Sequence, residues 1–173
     1  MRGEHPVVKP SMGKDDKLLE RLSGLRGSAT VIVGVGNTLK ADDGAGPLVC
    51  QQLQETGIGV DVVDAGTVPE NYIGPLVRKA PENVLIIDAM DFGAEPGTIE
   101  IFRPERLSQF IGSTHALSPR IFAEMLSHHM EVDVYFVGIQ PAHIRMGQEL
   151  SVQVNRAVQR LSHILAEIFP FQV

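Results

Sequence analysis

Five aliphatic runs that alternate with segments of helical spacing constrain the fold of this chain more than any other feature. The runs are ATVIVGV (29–35), GVDVVDA (59–65), NVLIIDA (83–89), TIEIF (98–102) and VDVYFVGI (132–139). Runs rich in Val and Ile are typical of strands that are buried on both faces of a parallel sheet. TIEIF alternates apolar and polar residues, which predicts a strand at the edge of that sheet.

The segments between the runs predict the helices that cover the sheet. Helical spacing of apolar residues is found over 44–54, 70–79, 118–130 and 148–169, and over about 15–25 behind two acidic residues. The sequence therefore predicts a single α/β domain over 15–173. We expect a three-layer sandwich, in which an about five-stranded, largely parallel, twisted sheet carries helices on both faces. Residues 1–14 lack periodic apolar residues and are predicted to be a flexible leader.

Charge and cysteine content exclude several classes of protein. The formal net charge of -6 argues against binding nucleic acid through a basic surface. The chain has 1 cysteine, Cys50, so it has no internal disulfide and no cysteine-based metal site. This points to a reducing compartment, and we predict a cytoplasmic protein. No aliphatic run approaches the roughly 20 residues that span a bilayer, so we expect no membrane insertion.

A glycine-rich turn follows the first predicted strand. GVGNTL (34–39) resembles the start of the dinucleotide fingerprint G-x-G-x-x-G, but Leu39 replaces the third glycine. Asp42 and Asp43 then stand where the next helix begins, and their charges would repel a phosphate. A nucleotide-binding domain is thus the weakest of the alternatives. Either aspartate could cap the helix at Gly44, but a cap needs only one carboxylate and leaves the other unexplained.

Polar residues at strand ends supply the other candidates. Asp88 ends the third run and Asp91 follows it, while His115 lies in GSTHALSP before a predicted helix. Carboxyl ends of parallel strands meet at one edge of a sheet, where α/β proteins bind their ligands. Loop anchoring is an alternative for Asp88, and Asp64 ends the second run in the same way. A lone loop histidine such as His115 is more often a surface or capping residue than a ligand, and the same holds for His143, a minor candidate for substrate contact.

Asp43, Asp88 and His115 together would offer two carboxylates and one imidazole. Such a set suits a borderline divalent ion such as Ni, Zn, Mn or Fe. A metal there could polarise a carbonyl and activate water for hydrolysis. The three residues lie too far apart in the chain to form a local motif, so their spacing alone does not establish a site.

The chain also resembles the hydrogenase maturation proteases. The resemblance runs from about Val31 to Leu165 and is most pronounced for the type that processes the large subunit of hydrogenase 3, the formate-hydrogenlyase enzyme. It is carried by VGVGNTLKADDGAGP (33–47), DAGTVPEN (64–71), LIIDAMDFGAEPGTI (85–99), STHALS (113–118) and FVGIQP (136–141). Glycine-asparagine followed by the acidic pair and Gly-x-Gly is specific to that family.

The resemblance implies an endopeptidase that removes the C-terminal extension of a [NiFe]-hydrogenase large-subunit precursor after nickel insertion. By residue matching, Asp43, Asp88 and His115 become both the metal-contacting and the catalytic set, with Asp42 and Asp91 in support. The nickel is expected to come with the substrate, and no organic cofactor is expected. We expect a monomer whose partner is that precursor. The alternative is a non-catalytic nickel-binding maturation factor or metallochaperone that uses the same ligands.

Overall fold

The five aliphatic runs form one sheet in the computed structural model, which describes residues 13–109 and 117–171. The strands are β1 (Thr30–Val35), β2 (Asp61–Gly66), β3 (Asn83–Ala89), β4 (Ile99–Phe102) and β5 (Asp133–Ile139). Their order across the sheet is β2-β1-β3-β5-β4. All neighbours are parallel except β4, which runs antiparallel to β5 at the edge. The prediction that TIEIF is an edge strand is therefore confirmed.

Helices cover both faces of this sheet, as predicted. They are α1 (Lys14–Ser23), α2 (Ala45–Thr56), α3 (Ile73–Lys79), α4 (Leu117–His129) and α5 (Val152–Ile168). Helices α1, α2 and α5 bury their apolar side chains on one face, and α3 and α4 bury theirs on the other. Successive side chains of a strand point to opposite faces. In β3, accordingly, Leu85 and Ile87 belong to the first core and Val84 and Ile86 to the second.

The strand order places a switch point at the centre of the sheet. The chain passes from β1 to β2 on one side of β1, and then to β3 on the other side. In open α/β sheets the crevice beyond the carboxyl ends of two such strands is the usual ligand site. The loops that follow β1 and β3 are therefore the ones to search for function.

Helix α5 starts later than its apolar spacing predicted. The helix begins at Val152, not at 148, and Ser151 caps it by accepting a hydrogen bond from the backbone N–H of Val154. Residues 148–150 are instead part of a loop that bonds to the turn before α2, where Ala41 N–H donates to the carbonyl of Gln148 at 3.1 Å. The expected leader, 1–14, lies outside the described residues except for its last two positions. Lys14 already belongs to α1.

Candidate active site

A tight turn after β1 places Asp43 at the carboxyl edge of the sheet. Gly36 has φ 142°, and a Cβ there would lie 1.9 Å from the backbone oxygen of Asp43. Only glycine allows this approach. The backbone N–H of Asn37 then donates to the carbonyl oxygen of Asp43 at 3.1 Å and to its side-chain Oδ2 at 3.2 Å. The glycines of the motif therefore shape a turn that closes on Asp43.

Gly46 fixes the distance between α2 and the strand ends. A Cβ on this residue would lie 2.4 Å from the carbonyl oxygens of both Val35 and Ile87. The first turn of α2 therefore rests directly on β1 and β3. Because Asp43 lies just before α2, this contact holds it next to the end of β3, where Asp88 is found.

Asp43 and Asp88 are both buried, each with 1% of its surface exposed. Burial, and then the negative charge of Asp43, raise the pKa of the Asp88 carboxyl well above its usual value of 3.8. A hydrogen bond from the backbone N–H of Ala89 acts in the opposite direction. Asp88 therefore keeps its proton far more readily than an ordinary aspartate. A buried carboxyl group whose pKa is raised beside a second carboxyl group is typical of sites of acid-base catalysis.

The carboxyl pair is suited to a cation. Among residues 13–109 and 117–171, no group donates a hydrogen bond to the buried Oδ2 of Asp88. A buried acceptor of this kind is available to a ligand or an ion. The same two ranges contain no cluster of three His, Cys, Asp or Glu side chains able to hold a metal. His115, the predicted third ligand, lies outside the described residues, so its assignment stays a prediction.

Asp42 has a different role from its neighbour. Its carboxylate is fully buried and accepts hydrogen bonds from the backbone N–H groups of Ala142 (2.8 Å), His143 (3.1 Å) and Ser151 (2.6 Å). It also accepts one from the hydroxyl of Ser151 at 3.0 Å. The capping interpretation is wrong, because α2 begins after Gly44 without a side-chain cap. Asp42 instead links the turn before α2 to the 142–151 loop.

Gln140 is the residue that sequence reasoning missed. It directly follows β5 and is only 5% exposed. Its Oε1 accepts hydrogen bonds from the backbone N–H groups of Phe92 and Ala94, and its Nε2 donates to Asp91 at 3.1 Å. Asp91 itself is exposed and turns the chain by accepting from Gly93. Gln140 directly follows an aliphatic run, and this position is the one sequence signal that points to it.

The remaining candidates lie in less suggestive surroundings. His143 is half-buried, and its backbone pairs with Asp42 in both directions. Asp64 is exposed and accepts a local hydrogen bond from Gly66, which is the ordinary loop role. Burial raises the pKa of the Cys50 thiol to about 12, with a smaller contribution from the charge of Asp64. A thiol nucleophile must ionise near neutral pH, so Cys50 is excluded from that role.

Comparison with known proteins identifies the family. A sequence model of the hydrogenase maturation proteases matches residues 48–168, more than two thirds of the chain. The chain belongs to the hydrogenase maturation proteases. The match includes Asp88 and begins just after the loop that carries Asp42 and Asp43. This family consists of endopeptidases, so the predicted enzyme class is confirmed over a metallochaperone or a nucleotide-binding domain.

Individual relatives agree with this assignment. The hydrogenase 3 maturation protease of Escherichia coli K12 is 35% identical over 137 residues, which cover 76% of this chain and 87% of that one. The crystal structure of the [NiFe] hydrogenase maturation protease HycI from Thermococcus kodakarensis is 32% identical and superposes with a TM-score of 0.77, covering 87% of this chain and 97% of its own. The crystal structure of a hydrogenase 3 maturation protease is 29% identical in sequence and superposes with a TM-score of 0.71. The match covers 85% of this chain and 93% of that one. The predicted fold is thereby confirmed for this hydrogenase maturation protease.

Within 13–109 and 117–171, none of the helices has the length and apolar character needed to cross a bilayer.

Proposed function

We propose that this hydrogenase maturation protease removes the C-terminal extension from the large-subunit precursor of a [NiFe] hydrogenase once nickel has been inserted. The observation that carries the proposal is the buried pair of Asp43 and Asp88 at the carboxyl edge of β1 and β3. In support, a similar solved protein is described as a [NiFe] hydrogenase maturation protease. The proposed setting is the cytoplasm, and the proposed working form is a monomer.

The carboxyl pair has the two properties that peptide hydrolysis requires. A base must take a proton from the attacking water, and an acid must give a proton to the leaving amine. The negative charge of Asp43 and the raised pKa of Asp88 provide one group of each kind. We assign activation of water to one of these two carboxyl groups.

Nickel held by the precursor is the proposed recognition element. Asp43, Asp88 and His115 would contact it, since carboxylate oxygen and imidazole nitrogen are suitable nickel ligands. The charge of Asp43 helps to keep Asp88 protonated. An approaching cation would offset that charge and lower the pKa of Asp88, so that Asp88 would more readily give its proton to the leaving amine. The protease itself is proposed to hold no metal at rest and to need no organic cofactor.

The test compares nickel-loaded with nickel-free precursor as substrates for the purified protein. Mass spectrometry of the released C-terminal peptide measures whether, where and how fast cleavage occurs. We expect cleavage only of the nickel-loaded form. Asp43→Asn, Asp88→Asn and His115→Ala are each expected to lower the rate by about 100-fold or more, the usual contribution of a positioned acid or base.

Asp64→Asn is the matched control, because Asp64 also ends a strand but is exposed. It is expected to keep the wild-type rate. Circular dichroism and thermal unfolding establish that each variant is folded before its rate is interpreted. Equal cleavage of both precursor forms would contradict nickel recognition. Full activity of folded Asp88→Asn would contradict the assignment of the site.

A further inference from the structure

An apolar groove lies beside the loop that carries Asp43. Its walls include Leu39 and Leu48 on one side and Met146 and Leu150 on the other, and its volume is about 630 Å³. This lies within the range of about 300–1,000 Å³ found for ligand pockets. The groove therefore has room for more than one side chain of a bound peptide.

Large apolar side chains are exposed at this groove. Leu39 is 67% exposed and Met146 is 65% exposed. Glu149 is the one charged residue among those that line it. Exposed apolar surface concentrated in a groove is characteristic of a binding site, whereas single exposed residues elsewhere need no explanation.

Both walls of the groove are fixed before any ligand binds. The backbone N–H of Gly147 donates to the carbonyl of Leu39 at 2.8 Å, and the N–H of Ala41 donates to that of Gln148 at 3.1 Å. The buried carboxylate of Asp42 adds its link to Ser151 at 2.6 Å. A preformed site loses less conformational entropy when it binds. The supporting aspartate thus also builds the wall of the groove.

The position of the groove indicates its occupant. Gly44, the residue after Asp43, lines it. Consecutive Cα atoms are about 3.8 Å apart, so the groove begins about one residue's length from Asp43. An extended substrate that is cut at the carboxyl pair and runs along this loop would span about 3.3–3.6 Å with each residue. A side chain within a few residues of the scissile bond can therefore reach the groove.

We propose that this apolar groove binds a nonpolar side chain of the precursor peptide next to the scissile bond, and so contributes to substrate selection. The proposal rests on the proposed function, because it takes Asp43 as the point of cleavage. It assigns Leu39 and Met146 to substrate binding and leaves the chemical step to the carboxyl pair.

Kinetics of groove variants provide the first test. Leu39→Ser and Met146→Ser remove exposed apolar contacts and are compared with Phe171→Ser as the matched control. Phe171 is 68% exposed and lines a separate cavity with Thr30 and Lys79, at the opposite edge of the sheet. We expect each groove variant to raise KM for the nickel-loaded precursor about tenfold or more, with kcat nearly unchanged. The control is expected to match the wild type.

Direct binding provides the second test and separates this proposal from the proposed function. The probe is a synthetic peptide that spans the cleavage site of the precursor, and the readout is the NMR signal of the Met146 methyl group. A shift on adding the peptide supports the groove as its binding site, even if no cleavage occurs and the proposed function fails. No shift, together with groove variants that match Phe171→Ser in KM, overturns the proposal. A groove variant that changes the oligomeric state on gel filtration also overturns it, because a second copy would then occupy the groove.

Discussion

Replacing Asp42 by asparagine is expected to destabilise this protease far more than replacing any exposed aspartate. In the wild type, Oδ2 accepts three hydrogen bonds and Oδ1 accepts one, all from residues at least 100 positions away in sequence. The amide of asparagine retains one acceptor oxygen and replaces the other by an NH₂ donor. If the remaining oxygen takes the place of Oδ2, the backbone N–H of Ser151 loses its acceptor and faces another donor.

The magnitude follows from these contacts. A hydrogen bond to a charged group contributes about 1.5–3 kcal/mol, and an unsatisfied buried donor costs about 1–3 kcal/mol. Because Asp42 is fully buried, water does not replace the lost partner. These effects overlap, so we expect the free energy of unfolding to fall by about 2–4 kcal/mol. With a urea m-value of about 2 kcal/mol/M, within the usual range of about 1–3, the midpoint moves down by about 1–2 M.

Urea unfolding followed by circular dichroism measures this change, and Asp64→Asn is the control. Asp64 is exposed and accepts one local hydrogen bond, so its replacement should change the free energy of unfolding by no more than about 0.5 kcal/mol. Equal midpoints for the two variants would refute the reasoning. The link between the two loops would then contribute nothing to stability.

Two further predictions concern Asp88 and Gly46. Because the pKa of Asp88 is raised in the folded state, the contribution of its protonated carboxyl to stability is fully present below the ordinary aspartate value of 3.8 and is lost as the pH rises through the raised value. The side chain of Asp88→Asn carries no charge at any pH, so the Tm of this variant should rise relative to that of the wild type as the pH increases from about 5 to about 8. A Tm difference that stays constant over this range would contradict the prediction. A Cβ at Gly46 would lie 2.4 Å from two backbone oxygens, so Gly46→Ala should lower stability by about 1–3 kcal/mol. Gly74→Ala, whose Cβ would meet only the side chain of Arg78 at 3.5 Å, should be neutral or stabilising by up to about 1 kcal/mol, and equal Tm values for the two glycine variants would contradict the packing argument.

The fold could be predicted from the sequence because each strand carries its own signal. NVLIIDA is apolar enough to require burial on both faces, and TIEIF alternates as an edge strand does. The start of α5 could not be predicted in the same way. Its apolar spacing extends back to 148, but the helix is stopped by bonds from Gln148 and Ser151 to the turn before α2. Such contacts between distant segments leave no local pattern.

The absence of a local pattern for distant contacts also explains which residues of the candidate site could be predicted. Asp43 and Asp88 are accessible to sequence reasoning because Asp43 lies in the loop after β1 and Asp88 lies at the end of β3. The pattern of residues alone does not distinguish Asp43 from Asp42, because the partners of Asp42 lie 100 to 109 residues further along the chain; only the family resemblance separates the two in the sequence. Gln140 escaped notice because an amide at a strand end suggests no chemistry by itself. Its importance comes from the loop that it holds beside Asp88.

The 3₁₀ turn over Ala41–Gly44 gives its two adjacent carboxylates separate surroundings. The carboxylate of Asp42 accepts hydrogen bonds from the 142–151 loop. The carboxylate of Asp43 accepts one from Asn37 and lies near Asp88 at the end of β3. Inserting a single residue between Gly36 and Asp42 would shift Asp42 into the position of Asp43, so that the anchoring carboxylate would face Asp88. Deleting one would shift Asp43 into the position of Asp42, so that the reactive carboxylate would be trapped between loops. The length of this turn is therefore as strictly constrained as its composition, and natural variation in chain length must be accommodated elsewhere.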